Sequence, residues 1–176
     1  MKYSAYYVEE TDGAFSASIS ELELEKPSDG FVQIQVSFSS LNYKDALSAS
    51  GNKGVTRNYP FVPGIDAAGT ISDANSSNFV EGDEVLVTGY DMGMNTPGGF
   101  GEFINVPANW VVKKPSALTS IEAMSIGTAG LTAAASVLKI QESSKESDLP
   151  VLLSGATGGV GSIGVMLMSK LDKEVT

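Results

Sequence analysis

The chain has 176 residues and carries 21 acidic against 11 basic side chains, a net charge of −10, with no cysteine and no histidine. Those two zeros exclude a disulfide framework, a thiol nucleophile, a Ser-His-Asp triad and the usual nitrogen and sulfur ligands of zinc. So negative a field, with Lys113-Lys114 as the one basic pair in sequence, also argues against nucleic acid, whose phosphates need clustered cations.

The composition, 42% hydrophobic and 18% charged, is that of a globular protein. Residues 1–8 hold no apolar run of signal-peptide length, and the sequence shows no continuous 18-residue apolar stretch. The reading is a cytoplasmic protein with no membrane span.

In chain order, residues 1–115 read as β-rich. Lys2 to Val8 is aromatic and β-prone. Phe31 to Phe38 alternates, with Val32, Ile34 and Val36 on one face and Gln33, Gln35 and Ser37 on the other. Asp66 to Ser72, Glu84 to Thr88, Glu102 to Val106 and Trp110 to Lys113 add short strands, separated by glycine- and proline-rich turns. The expectation is a small barrel or curled antiparallel sheet.

After Pro115 the period changes. Thr119 and Glu122 form a capping box that opens an Ala-rich helix from Ser120 to Lys139, interrupted by Gly127 and Gly130. Gln141 to Asp148 is a polar connector, and Leu149 to Ser154 reads as a strand buried on both faces. Gly155, Gly158, Gly159 and Gly161 then lead into a segment with Val160, Ile163, Leu167 and Leu171 at helical spacing. Glu174 to Thr176 begins another strand, so residues 116–176 form the start of a βαβ unit. The fold class is α/β overall, with an α+β N-terminal part.

The glycine turn is the most specific feature. G-x-x-G-x-x-G is a variant of the dinucleotide fingerprint, and its place between a strand and an amphipathic helix is the setting that fingerprint requires. Glycines let the backbone approach a pyrophosphate, whose charge meets the first amides of the helix. The candidate cofactor contacts are Ser154, Gly155, Thr157, Gly158, Gly159, Val160 and Gly161, with Gly161 allowing close helix–strand packing. No Lys-Ser or Lys-Thr follows, so the loop is not a Walker A motif. A short-chain dehydrogenase is a poor alternative, because no tyrosine follows Tyr90. The bland reading is a turn that needs positive φ and nothing more.

Six stretches in order resemble the medium-chain dehydrogenase/reductase superfamily, and within it the acryloyl-CoA reductase and quinone oxidoreductase group. They are Ser40 to Leu47, Pro63 to Gly69, Gly82 to Val85, Gly98 to Glu102, Ile126 to Ala133 and Ser154 to Ser162. The resemblance implies a GroES-like catalytic domain over residues 1–115, followed by the start of a Rossmann domain that binds NADPH. It implies that the remaining sheet and a segment completing the catalytic domain lie beyond Thr176. Residues 1–176 alone are therefore expected to be inactive as a reductase and to self-associate, while the complete protein is expected to be a homodimer. Zinc-binding members use a Cys within the segment matching Leu41 to Asp45 and a His in the segment matching Gly64 to Asp66. Asn42 and Ile65 stand there, so the resemblance is to the zinc-free branch, with no metal.

Within that branch the substrate is an activated double bond of an enoyl thioester such as acryloyl-CoA, or a quinone. Tyr43 is the best proton donor or carbonyl-polarising group, and the resemblance also makes it a cofactor contact; the alternative is a half-buried loop tyrosine. Asn42 is a second candidate for cofactor or substrate, or a turn cap. Lys44 and Asp45 are expected to form a local ion pair. The resemblance sets Thr128 beside the nicotinamide, with a helix–helix contact as the alternative. Trp110 and the methionines Met92, Met94, Met124, Met166 and Met168 read as packing residues. The competing functions are a non-catalytic dinucleotide-binding protein and a protein-interaction module.

Overall fold

A computed structural model describes residues 1–75, 77–143, 150–171 and 174–176. They form two compact units, Met1–Ser125 and Ile126–Thr176.

The first unit opens with a hairpin of β1 (Lys2–Thr11) and β2 (Ala14–Glu23). Its two-residue turn has Asp12 at φ 53° and Gly13 at φ 78°. Two positive φ values make the turn type whose twist matches that of the strands. The sequence reading ended β1 at Val8 and missed β2. Ser16, Ser18 and Ser20 dilute its apolar pattern, and Ile19 is itself mostly exposed.

Five further strands pair antiparallel in the order β6-β3-β4-β5-β7: β3 Phe31–Phe38, β4 Asp66–Asp73, β5 Glu84–Thr88, β6 Phe103–Pro107 and β7 Val112–Lys113. Their core joins Val32, Ile34, Ala67, Ile71, Val85, Val87, Met92, Ile104, Val106 and Val111. Gln33, expected on the wet face of β3, is buried. Its amide donates to Glu25 O at 3.0 Å and to Asn105 Oδ1 at 3.2 Å, and its Oε1 accepts from Ser72 Oγ at 3.1 Å. A satisfied amide can be buried at small cost. Trp110 belongs to a 3₁₀ turn rather than to β7, and its ring stacks on Tyr90, with centroids 5.1 Å apart and planes 3° from parallel.

Between β3 and β4 lies α1 (Tyr43–Ala49), an element the sequence reading did not identify. Lys44 and Asp45 do not pair there: Lys44 is exposed and Asp45 buried. Consecutive helix residues point about 100° apart, which separates them.

The capping box at the start of α2 (Ser120–Ser143) is present, with Thr119 N donating to Glu122 Oε2 at 2.8 Å and Glu122 N to Thr119 Oγ1 at 3.2 Å. By length and composition alone α2 is long and apolar enough to cross a membrane. Gly127, however, takes non-helical angles (φ 48°, ψ −155°) inside it. A lipid-exposed break leaves backbone groups unpaired. The longer piece, Thr128–Ser143, would span only about 24 Å, short of a hydrocarbon core of ~30 Å.

In the second unit, Val151 N donates to Glu174 O and Leu153 N to Thr176 O, each at 2.9 Å, in a parallel bridge. This is the strand pairing of a βαβ start around α3 (Gly159–Lys170). Leu149 and the connector residues 144–148 fall outside the described residues. The strand is not buried on both faces, since Leu152 is 82% exposed. Leu153 takes the side facing α3, where a Cβ on Gly164 would meet its Cδ1 at 2.9 Å, and neighbouring strand residues alternate sides.

The stripe that α3 buries is Gly161, Gly164 and Met168. The large residues of the expected stripe, Val160 and Leu171, are partly exposed, and Met166 is exposed as well. Glycines on the buried side let backbones close up at Gly161 and Gly164, while Met168, 1% exposed, supplies the large buried side chain.

Candidate functional site

In the first unit, the site is built on the N-terminus of α1. Asn42 is the N-cap residue, in an extended conformation (φ −125°, ψ 156°). Asp45 sits at the third helical position, where a carboxylate can reach back to the cap amide. Its Oδ2 accepts the Asn42 backbone N–H at 2.7 Å. Its Oδ1 accepts the backbone N–H of Ile65 at 2.9 Å, so one carboxylate ties the start of α1 to the segment entering β4.

Asp66 opens β4 and is fully buried. Its Oδ2 accepts from Asn42 Nδ2 at 2.9 Å and from Ser40 Oγ at 3.0 Å, and its backbone carbonyl accepts from Ser39 Oγ at 2.6 Å. Ser40 Oγ also lies 3.7 Å from Met124 Sδ. Burial pushes the Asp45 carboxyl above the ordinary carboxylate range. The bonds from Asn42 and Ile65 oppose that shift, and the charge of Asp66 adds to it.

The floor under this cluster is glycine. A Cβ on Gly98 would come within 2.2 Å of Gly64 O, one on Gly93 within 2.5 Å of Gly64 C, and one on Gly99 within 2.3 Å of Asp66 O. Three chain segments meet there backbone to backbone, as only glycine permits.

Tyr43 is the first residue of α1 and is 80% exposed, so it is not the half-buried loop tyrosine of the bland reading. Among the described residues its hydroxyl makes no hydrogen bond, and the backbone at positions 42–43 sets its place. The structure brings Asn42 together with Ser40, Asp45, Ile65 and Asp66. The sequence reading missed that role for the two acids, although Asn-x-x-Asp at a helix start and an acid within the apolar run from Ile65 to Ala68 were both legible. Asn42 spends its amide on Asp66, and Ile65 has no donor atom in its side chain. These positions therefore offer no zinc donor set.

The second unit holds the other candidates. Ser154, Gly155, Thr157, Gly158, Gly159 and Val160 are all exposed, while Gly161 is buried. Gly155 has φ +70° with open space where its Cβ would be. Gly158 caps α3, and its N–H donates to Gly155 O at 3.0 Å. The first intrahelical bond runs from Ser162 N to Gly158 O at 2.8 Å. The amides of Gly159, Val160 and Gly161 thus fall in the first turn, where a helix has no internal acceptors.

Gly161 does not serve helix–strand packing, as expected from the sequence, but packing within the turn. Its Cβ would sit 2.1 Å from Gly155 O. Helix–strand approach falls to Gly164. Thr128 is half-buried just after the break at Gly127. The neighbouring Ala129 Cβ lies 3.3 Å from where a Cβ of Gly159 would stand, so the Thr128 segment adjoins the glycine turn. Exposed backbone at Gly158, Gly159 and Val160, positive φ at Gly155 and first-turn amides fit the pyrophosphate of a dinucleotide.

Residues 28–116 match the family described as the alcohol dehydrogenase GroES-like domain. The chain is 44% identical over 150 residues to the protein YhfP of Bacillus subtilis, covering 85% of this chain and 45% of that protein. The crystal structure of YhfP with NAD bound superposes with a TM-score of 0.91 at 39% identity, over 99% of this chain and 54% of that one. The chain is 38% identical over 168 residues to the acrylyl-CoA reductase AcuI of Ruegeria pomeroyi, covering 95% of this chain and 51% of that enzyme. The YhdH oxidoreductase of Salmonella enterica in complex with NADP matches with a TM-score of 0.91 at 42% identity, over 98% of this chain and 53% of that one. The chain spans about half the length of the relatives it matches.

Proposed function

We propose, since the chain belongs to the family of the alcohol dehydrogenase GroES-like domain, that it serves an NADPH-dependent oxidoreductase reducing the activated double bond of an acryloyl-CoA-type enoyl thioester, or a quinone, without zinc. The observation that carries this reading is the glycine turn: a strand, a positive-φ Gly155 and an open helix N-terminus at Gly158–Gly161. An NADP complex of one relative and the acrylyl-CoA reductase name of another support the choice of cofactor and substrate.

Ser154, Gly155, Thr157, Gly158, Gly159, Val160 and Gly161 would hold the pyrophosphate and its flanks, and Thr128 and Tyr43 would contact the nicotinamide side. A bound reduced nicotinamide supplies the hydride, which goes to the β carbon of the enoyl thioester. Tyr43 polarises the thioester carbonyl or delivers the proton that the α carbon takes up, and Asn42 keeps that tyrosine in register. With zinc absent, polarisation falls to hydrogen-bond donors alone.

We further propose a cytoplasmic homodimer that contacts neither membrane nor nucleic acid, in keeping with the net charge of −10. The test is to mix the complete protein, rather than residues 1–176 alone, with NADPH or NADH and a panel of enoyl-CoAs and quinones, and to follow the absorbance of the reduced nicotinamide. Faster loss with NADPH and acryloyl-CoA is expected. Cofactor binding with no turnover on any acceptor would leave a dinucleotide-binding protein instead.

A further inference from the structure

We infer that Asp45 and Asp66 are a pair of positioning residues: two buried carboxylates, from α1 and β4, that together set the backbone and side chain of Asn42 and through them the aim of Tyr43. The inference rests on the proposed role of Tyr43 at the nicotinamide.

Asp45 is 3% exposed and Asp66 0%. Asp45 takes the backbone N–H of Asn42 at 2.7 Å, and Asp66 takes its side-chain amide at 2.9 Å. The residue preceding Tyr43 is therefore held at two independent points. The same carboxylates reach Ile65 N–H, at 2.9 Å, and Ser40 Oγ, at 3.0 Å, so the tie extends to both flanking segments. Asp66 in turn borders the glycine floor, where a Cβ on Gly99 would meet its carbonyl oxygen at 2.3 Å.

The arrangement is more than a helix cap requires. A surface Ser, Thr or Asn caps a helix without burying charge. Two buried acids near enough for the charge of Asp66 to raise the Asp45 carboxyl oppose folding unless every oxygen is well bonded. What the pair provides in return is a fixed turn under a side chain that makes no hydrogen bond among the described residues. Tyr43 itself is 80% exposed. A shift of about 1 Å in such a group costs on the order of 10²-fold in rate.

Asp45→Asn and Asp66→Asn keep the shape of each residue and remove its charge and one carboxylate oxygen. In the complete protein each is expected to lower kcat at least about 10-fold, while the dissociation constant of NADPH, set by the pyrophosphate turn, stays within about 2-fold of wild type. Lys44→Ala, on the exposed side of α1, should leave both unchanged. A fluorotyrosine at position 43, in the protein without cofactor, should shift or broaden its fluorine resonance in both Asn variants and not in Lys44→Ala.

Wild-type kcat in both Asn variants would overturn the inference. So would a parallel loss of kcat, cofactor affinity and thermal midpoint, which would reduce the pair to a structural role. If the unaltered protein turns over no acceptor, the reductase reading fails by itself. The fluorine comparison then decides the positioning role alone, with unchanged spectra overturning it.

Discussion

Gly161 lies so close to Gly155 that a single added carbon on the helix residue would meet the carbonyl oxygen of the turn residue at 2.1 Å. The turn is therefore closed by the absence of a side chain on the helix that follows it. The glycines of the motif divide their work accordingly: Gly155 supplies positive φ, Gly158 the cap, and Gly161 the closure.

Gly161→Ala should open the turn and destabilise the protein by about 1–3 kcal/mol, the usual cost of overpacking, with loss of NADPH binding. Gly158→Asp has room, with Gly155 O at 3.5 Å from the new Cβ. It should leave the thermal midpoint near wild type and weaken NADPH binding at least about 10-fold by placing a carboxylate at the phosphate. Thermal melts paired with cofactor titrations separate the two, and an unchanged affinity in folded Gly158→Asp would reduce the loop to a turn.

Tyr43→Phe keeps the ring and deletes a hydroxyl that has no partner among the described residues. Stability should not change. kcat should fall by about 10²-fold if the hydroxyl polarises or protonates the substrate. A wild-type kcat with a raised KM for the cofactor would move Tyr43 to cofactor positioning.

Two carboxyls should give pH dependences of opposite sign. Asp45 is raised by burial in the folded state, so it contributes most below its unfolded pKa and loses that contribution as pH climbs through the folded value. The stability of Asp45→Asn relative to wild type should therefore improve as pH rises above the ordinary carboxylate range. Glu122 is lowered by its bonds from Thr119. Its contribution is present above the unfolded pKa and lost as pH falls, so Glu122→Gln should be destabilised at neutral pH and indistinguishable from wild type in acid. Urea melts across that range read both trends.

Metal analysis of the purified protein should find only substoichiometric zinc, because Asn42 and Ile65 present no soft or imidazole ligand. One zinc per chain would refute the zinc-free reading.

Periodicity revealed β5 and β6 because they bury alternate residues, Val85 and Val87 in one and Ile104 and Val106 in the other. It failed where burial is not apolar. Gln33 is buried because three hydrogen bonds satisfy it, and two of the three buried residues of α3, Gly161 and Gly164, carry no hydrophobic signal. The motif at 155–161 was legible because glycine there is a backbone requirement. The acids at 45 and 66 were visible as residues but not as a pair, since their meeting at Asn42 depends on a contact 24 residues long. Leu152 read as buried because an apolar run does not say how many faces are covered.

The glycine floor carries an expectation about epistasis. Side chains added at Gly93 and at Gly98 would both press on the same peptide, that of Gly64. Displacing this peptide once relieves the contact that the two newcomers share, while the positive φ of Gly93 and the approach of Gly98 to Gly93 Cα at 2.7 Å remain separate costs. Gly93→Ala and Gly98→Ala should therefore be strongly antagonistic in combination, with a double variant less damaged than the sum of its singles by about 0.5–3 kcal/mol. Additive losses would mean that the three segments yield independently.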